Sequence, residues 1–193
     1  MRMTNQKQTY HHGDLRNALL QAAWKIVEKE GLDKLSLRGV ARETGVSQAA
    51  PYAHFKDKSS LLVEVAASGF TALKILLETQ LKECDRSKDH REMLDKLGVI
   101  YVQFALDNRA VFRLMFSDVI SDFPKSENYE IAAAAAFSCL ERAILRITPQ
   151  PFATFSAWST VHGLASLIVD NRLEISGDVE TYVREVTKFL KFD

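Results

Sequence analysis

The 193-residue chain contains few cysteines, glycines and prolines. Its two cysteines, Cys84 and Cys139, are far apart, which argues against a disulfide framework or a CxxC metal site and favours a reduced, cytoplasmic setting. No uninterrupted apolar run reaches the roughly 18 residues of a membrane span, and the first residues lack the apolar core of a signal peptide. We therefore expect an ordinary globular protein with no membrane partner.

Catalytic motifs are also missing from the sequence. There is no GxSxG, HExxH or glycine-rich phosphate loop, and the neighbouring His11 and His12 lie in a segment that we expect to be a flexible arm. We predict no enzyme activity, no cofactor and no metal site. A redox sensor built on Cys84 and Cys139 remains an alternative, although nothing nearby marks either cysteine as a low-pKa thiolate.

The net charge is zero, but the charges are unevenly distributed. Residues 1–60 carry ten Lys or Arg against six Asp or Glu, whereas the remaining residues carry fifteen against nineteen. Three of the five histidines also fall in the basic third. This split predicts an amino-terminal part that faces an anionic partner and a remainder that does not.

Apolar residues recur at helical spacing along almost the whole chain, and no alternating strand pattern competes with them. The fold class predicted is all-α. The first helix is capped by Asp14 and ended by Gly31, and the second is capped by Ser36. The third is capped by Ser47 and ends before Lys56. The remaining helices are predicted from Asp57 to about Leu81 and over residues 89–107, 109–116, 127–147, 152–171 and 177–191.

The segment 36–55 resembles a helix-turn-helix, because two short helices are joined by a sharp turn. Gly45 can take the positive φ that the turn requires, and the small Ala41 lets the helices cross closely. An ordinary αα-hairpin would show the same spacing, so the residues after the turn decide between the two interpretations.

Those residues favour contact with double-stranded DNA. Gln48, Ala49 and Ala50 occupy the first turn of the predicted recognition helix, where glutamine can pair with adenine and alanine methyls can contact thymine methyls. The predicted cap Ser47 belongs to the same surface. Tyr52, His54 and Lys56 offer donors that suit phosphates, whereas Phe55 is expected to be a core aromatic.

The start of the fourth helix adds a further candidate phosphate contact. Lys58 lies in the first turn of the fourth helix, where a cation opposes the helix dipole unless a phosphate binds there. A solvated lysine is the simpler alternative. We favour the phosphate contact, so Lys58 joins the predicted DNA-binding set.

The last two helices have the composition of a dimer interface. The helix over 152–171 is apolar nearly all round, which predicts burial on every side, and its Ser156, Ser159, Gly163 and Ser166 form a face of small residues. The last helix carries one apolar stripe. Pairing of both with their symmetry mates predicts a homodimer, although the same helices could simply close the monomer core.

Aromatic residues in the carboxy-terminal part could line a pocket for a small-molecule effector. A solid aromatic core would show the same pattern, so both interpretations stay open. The candidate ligand-binding residues are Tyr101, Phe104, Phe112, Phe137, Trp158 and His162.

The stretch LSLRGVARETGVSQAAPYAHFKDKSSLL resembles the DNA-binding domain of the TetR/AcrR family of transcriptional regulators, and YHHGDLRNALLQAAWKIVEKEG resembles its first helix. The stretch AWSTVHGLASLI is similar to the Trp…His-Gly motif of one subgroup of ligand-binding domains, and includes Trp158 and His162.

The resemblance implies a homodimeric, ligand-responsive regulator, usually a repressor, on a palindromic operator. It implies that Ser36 caps its helix near the phosphates, that Gln48 and Ala49 face bases, and that Tyr52, His54 and Lys58 contact the backbone. Ala50 stands where a larger polar residue is frequent. The predicted domains are an arm over 1–12, a helix-turn-helix domain over 13–57 and a ligand-binding and dimerisation domain over 58–193.

Overall fold

A computed structural model of the chain describes residues 12–84 and 89–192, and the side chains from residue 15 onward. Within these ranges the regular structure is helical and contains no strand, so the all-α prediction is confirmed. The α-helices are α1 His12–Glu30, α2 Leu37–Thr44, α3 Lys58–Cys84, α4 His90–Asp107, α5 Arg109–Met115, α6 Asp118–Ser121, α7 Glu127–Ile144, α8 Ala153–Val169 and α9 Val179–Thr187.

The chain divides after Leu61 into two compact units, here called the amino-terminal unit and the carboxy-terminal unit. Each has its own set of buried apolar side chains. The predicted arm falls almost wholly on residues 1–11, which lie outside the described residues, and His12 is already the first residue of α1.

Helix α1 buries one apolar face in the amino-terminal unit. Leu19, Ala23 and Val27 recur at helical spacing and are buried, and Gly31 follows the helix with a φ of 89°, as expected for a helix end. The predicted cap is wrong, because α1 begins two residues before Asp14. An acidic residue is favourable inside a first helical turn as well as before it, so the sequence does not separate the two positions.

Helix α2 and the turn after it agree with the prediction. The hydroxyl of Ser36 accepts a hydrogen bond from the backbone N–H of Gly39 at 3.0 Å, which caps α2. Gly45 has a φ of 73°, in the left-handed region that glycine enters without steric cost. Leu37, Val40 and Ala41 lie on one face of α2 and are buried.

The third helix differs from the prediction, because it is a short 3-10 helix over Ala50–Ala53 rather than an α-helix capped by Ser47. Its backbone bonds run to the third residue, as in Ala50 N–H to the carbonyl of Ser47 at 3.0 Å. Pro51 has no N–H to donate and disfavours α-helical geometry at Ala50. These two effects leave too few bonds for a regular α-helix.

Helix α3 begins with a reciprocal cap. The backbone N–H of Ser60 donates to Asp57 Oδ1 at 2.8 Å, and the backbone N–H of Asp57 donates to the Ser60 hydroxyl at 3.1 Å. The bond from Ser60 lowers the pKa of Asp57. By length and composition α3 could cross a membrane, but more than half of its most apolar stretch is buried inside the protein, as in a core helix.

Helix α4 lies at the centre of the carboxy-terminal unit and packs against α5, α7, α8 and α9. Gly98 makes this packing close, because a Cβ there would lie 3.3 Å from side-chain carbons of both Val161 and Val183. The network of Arg184, Glu92 and Asp95 then ties α9 to α4. The result is a helical bundle organised around one buried helix.

The later helices agree with the predicted segments, but several are shorter. Helix α7 ends at Ile144 rather than at 147, and α8 begins at Ala153, after Phe152 with a φ of 67°. The two prolines of the intervening segment disfavour helix in the residues before them. The short α6 and a 3-10 turn over Leu32–Lys34 were not predicted.

Helix α8 corrects one expectation, because it is not buried on every side within this chain. Phe155 and Leu167 are about half exposed, and Ser156 and Ser159 are exposed beside them. A Cβ added at Gly163 would meet nothing within 4 Å. The apolar composition of α8 therefore exceeds what packing within one chain uses.

Candidate functional site

Residues 47–55, here called the recognition segment, follow the turn at Gly45 and present several exposed side chains. Ser47, Gln48, Ala49 and Tyr52 are exposed, and the Tyr52 side chain reaches 53% of its full exposure. Ala50 and His54 are half-buried. A tyrosine so open to water makes little use of its ring for folding, which leaves it free to contact a partner.

Two buried residues hold the recognition segment against the unit. Pro51 is buried, and Phe55 is only 2% exposed with the Arg16 guanidinium carbon 5.5 Å from its ring centroid. The assignment of Phe55 to the core is confirmed. Because these two side chains turn inward, their neighbours along the short helix turn toward solvent.

Two residues at helix starts, Ser36 and Lys58, flank the recognition segment in the sequence. Ser36 is exposed at the start of α2, and Lys58 is exposed as the first residue of α3. The ammonium of Lys58 lies 3.4 Å from the backbone carbonyl of Asp33. Lys56, two residues earlier, is exposed as well. These side chains carry hydroxyl, imidazole, amide and ammonium groups, which can donate hydrogen bonds to phosphates and base edges.

The carboxy-terminal unit contains a cavity of about 450 Å³, within the range of small-molecule sites. Side chains from α3, α4, α7, α8 and the end of α9 form its wall, together with Phe116 after α5. The aromatic members of the wall are Phe70, Tyr101, Phe116, Tyr129, Phe137, Phe155 and Trp158.

The predicted ligand-binding residues divide into two groups. Tyr101, Phe137 and Trp158 line the cavity. Phe104 and Phe112 are almost fully buried and, like His162, are not part of its wall. The ligand roles of all six stay predictions.

Tyr101 connects the cavity wall to His162. The Tyr101 hydroxyl lies 2.9 Å from His162 Nδ1 and accepts a hydrogen bond from Trp158 Nε1 at 3.3 Å. Burial raises the pKa of Tyr101 and lowers the pKa of His162, so the neutral forms of both are favoured. His162 therefore supports the wall from behind as a neutral side chain.

The sequence interpretation missed the small residues that create the cavity. Helix α7 carries five consecutive alanines, and Ala133, Ala134 and Ala136 line the cavity opposite the larger aromatics, as does Ala157 of α8. Larger side chains at these positions would fill the space. The alanine run was the signal available in the sequence.

Both cysteines lie away from solvent, and for Cys139 burial outweighs the effect of the nearby Arg142 guanidinium. Cys84 and Cys139 are both buried and free, and burial raises the pKa of Cys139. Among the described residues, no group of three histidine, cysteine or acidic side chains could hold a metal ion.

Family models match both parts of the chain. Residues 19–65 match bacterial regulatory proteins of the tetR family, and residues 94–190, half of the chain, match a Tetracyclin repressor-like C-terminal domain. The Trp…His-Gly subgroup stays a prediction.

Individual relatives support the same grouping. A solved protein of unknown function from Rhodococcus sp. RHA1 is 34% identical over 95% of this chain and 97% of its own, with a TM-score of 0.80. An HTH-type transcriptional regulator of Staphylococcus aureus (strain bovine RF122 / ET3-1) is 30% identical over 96 residues. That match covers 50% of each protein, so the chain spans about half the length of the curated relatives it matches.

The multidrug binding protein EbrR, solved in complex with ethidium, has a similar fold with a TM-score of 0.68. It is 18% identical and covers 94% of this chain and 100% of its own. The helix-turn-helix geometry, the all-α bundle and the two family matches agree. The chain belongs to the TetR family of bacterial transcriptional regulators.

Proposed function

We propose that this protein is a sequence-specific DNA-binding transcriptional regulator, a repressor that a small molecule releases from a palindromic operator. One observation carries the proposal: the capped α2, the left-handed Gly45 and the exposed recognition segment form a helix-turn-helix. The DNA-binding domain of the proposal comprises residues 13–57, and the rest of the chain binds ligand and forms the dimer. We expect the protein in the cytoplasm, where its DNA partner lies.

The proposed DNA contacts fall into two kinds. Gln48, Ala49 and Ala50 contact base edges in the major groove, because they stand at the start of the segment that follows the turn. The polar groups around them position the protein on the phosphates and carry no sequence information directly. This second group is Ser36, Ser47, Tyr52, His54, Lys56 and Lys58.

A homodimer presents two such segments to the two halves of a palindrome. The open face of α8 supports this part of the proposal, since Ser156, Ser159 and Gly163 allow a second helix to approach closely. Phe155 and Leu167 add apolar area on the same helix that a partner would cover. Helix α9 completes the proposed four-helix interface.

The cavity supplies the proposed response to an effector. A ligand lowers DNA affinity only if it binds the released conformation more tightly, and couplings of about 1–3 kcal/mol are typical. Helix α3 supports this route, because Phe70, Leu73 and Leu77 line the cavity on the helix that begins at Lys58. The ethidium complex of EbrR, a protein of the same fold, is consistent with a ligand in such a bundle.

Selection of genomic fragments tests the DNA-binding part. The protein is mixed with sheared DNA at physiological salt, and the bound fragments are sequenced. We expect an inverted repeat with half-sites about one helical turn apart, or a multiple of that. Recovery of fragments without a shared sequence would contradict the proposal.

Sedimentation of the protein alone at micromolar concentration tests the dimer. We expect a dimer for the natural chain and for Gly163→Ala, and a monomer of unchanged helicity for Gly163→Leu. A Cβ at position 163 meets nothing within 4 Å inside one chain, whereas the longer leucine side chain would collide with a closely packed partner helix. A natural chain that sediments as a monomer without DNA would count against the symmetric repressor.

A further inference from the structure

The residues that line the cavity carry no charge. All of them belong to the described part of the chain, and none is acidic or basic. The four that have polar side-chain atoms are Tyr101, Tyr129, Trp158 and Thr187. The wall therefore offers no ion-pair partner to a charged ligand.

Those four polar side chains already make hydrogen bonds within the protein. The Tyr129 hydroxyl donates to the Met115 carbonyl at 3.2 Å, and the Thr187 hydroxyl donates to Asp95 Oδ1 at 2.9 Å. Trp158 and Tyr101 bond to each other, and Tyr101 bonds to His162. A ligand acceptor would have to break these bonds, because the donor hydrogens are already used, whereas the hydroxyl oxygens can still accept a hydrogen bond.

The aromatic rings are engaged as well. Phe70 makes edge contacts with Phe116 and Tyr129 at centroid distances of 5.3 and 5.5 Å, and Phe137 makes one with Trp158 at 5.7 Å. Ring faces attract cations, but removing a cation from water is costly when no anion pairs with it. Aromatic content alone therefore does not make this cavity a cation site.

We propose that the cavity selects an uncharged, largely hydrocarbon effector and rejects cations and anions of the same shape. The inference rests on the proposed function for its regulatory meaning, but ligand binding is measured without DNA. The alanines of α7 set the space available to that hydrocarbon, since each occupies the wall with a single methyl group.

Three probes with one hydrocarbon chain test the proposal: 1-decanol, decanoate and decyltrimethylammonium, each below its micelle or solubility limit. The chain has two tryptophans, Trp158 in the cavity wall and Trp24 on α1. In Trp24→Phe, fluorescence of Trp158 reports binding, and calorimetry on the natural chain checks it. We expect 1-decanol to bind at least ten-fold more tightly than either ion. Equal or tighter binding of an ion, or binding of none of the three, overturns the proposal.

A matched pair of variants tests the charge argument directly. Ala133 lines the cavity, whereas Ala135 is a half-buried alanine of the same helix outside the wall. We expect Ala133→Asp to narrow or reverse the preference for 1-decanol over decyltrimethylammonium, and Ala135→Asp to leave it unchanged. An unchanged preference in a folded Ala133→Asp protein would overturn the proposal.

Operator release separates this inference from the proposed function. If 1-decanol binds selectively but never changes DNA affinity, the assignment of ligand class stands and the effector mechanism fails. If decyltrimethylammonium releases DNA more effectively than 1-decanol, and Ala133→Asp alters that release, the effector mechanism stands and the assignment of ligand class fails.

Discussion

The two units of this protein use their side chains in opposite ways. In the amino-terminal unit, the polar groups of the recognition segment point into solvent, as the exposed Tyr52 illustrates. In the carboxy-terminal unit, the hydroxyls of Tyr101 and Tyr129 are tied to protein partners around an apolar space. The recognition segment is therefore suited to a polar partner whose hydrogen-bonding groups are exposed, such as the base edges of DNA. The cavity is suited to an apolar molecule.

The greatest change in DNA recognition is expected at Gln48, and it tests whether the exposed amide of the recognition segment contacts bases. We expect Gln48→Ala to reduce discrimination between the operator and a site altered at one base pair by about 1–3 kcal/mol. The reason is the loss of a bidentate amide contact, while the phosphate contacts remain. Competition binding with single-base operator variants measures the effect.

Gln21→Ala is the matched control, because Gln21 is an exposed glutamine on α1 in the same unit. We expect it to leave the sequence preference unchanged. If Gln48→Ala kept the full preference of the natural chain, Gln48 would not read bases, and the exposed amide would belong to the solvated surface.

A smaller effect distinguishes residues that contact phosphates from residues that contact bases. Lys58→Ala should weaken binding to the operator and to unrelated duplexes alike, and lower the slope of log affinity against log salt by about 0.9. Lys82→Ala is the control, since Lys82 is also exposed on α3 but belongs to the carboxy-terminal unit. Equal slopes for the two variants would show that Lys58 contacts no phosphate.

The amino-terminal unit could be predicted in detail because its signals are local. Ser36 caps α2 by accepting a hydrogen bond from Gly39, only three residues later, and Gly45 itself takes the left-handed backbone angle of the turn. Each feature can therefore be predicted from a short stretch of sequence. The two wrong predictions in this unit, the caps at Asp14 and Ser47, are local as well. The prediction of an α-helix capped by Ser47 did not account for Pro51, which lacks an N–H and reduces the number of backbone hydrogen bonds.

The cavity could not be predicted to the same degree, because it depends on what distant helices leave unfilled. Aromatic residues such as Phe112 and Phe137 look alike in the sequence, yet only Phe137 reaches the wall. The decisive residues are small ones, such as Ala133 and Ala136, whose single methyl groups leave space that a larger side chain would fill. Periodicity identifies the inner face of a helix but not the volume opposite it.

A slighter effect is expected from an ion pair that lies in the carboxy-terminal unit. In the carboxy-terminal unit, Arg184 donates hydrogen bonds to both carboxylate oxygens of Glu92 at 2.7 and 3.0 Å and lowers the pKa of Glu92 from 4.5 to about 2. A lowered carboxyl pKa adds stability that is complete above the ordinary pKa. That contribution is lost as the pH falls from about 4.5 to about 2.

We therefore expect Glu92→Gln to melt below the natural chain at pH 7, and the two melting temperatures to converge as the pH approaches 2. Both side chains are partly exposed, at 37% for Glu92 and 30% for Arg184, so solvent screens the pair and its worth is about 1 kcal/mol or less. For a chain of this size that corresponds to at most about 4 °C.

Trp158 fluorescence in a Trp24→Phe background follows the carboxy-terminal unit alone, and Glu130→Gln, at an exposed position on α7, serves as the control. A difference that stays constant or widens toward pH 2 would mean that Glu92 acts through packing, and that the ion pairs of this unit are incidental to its stability.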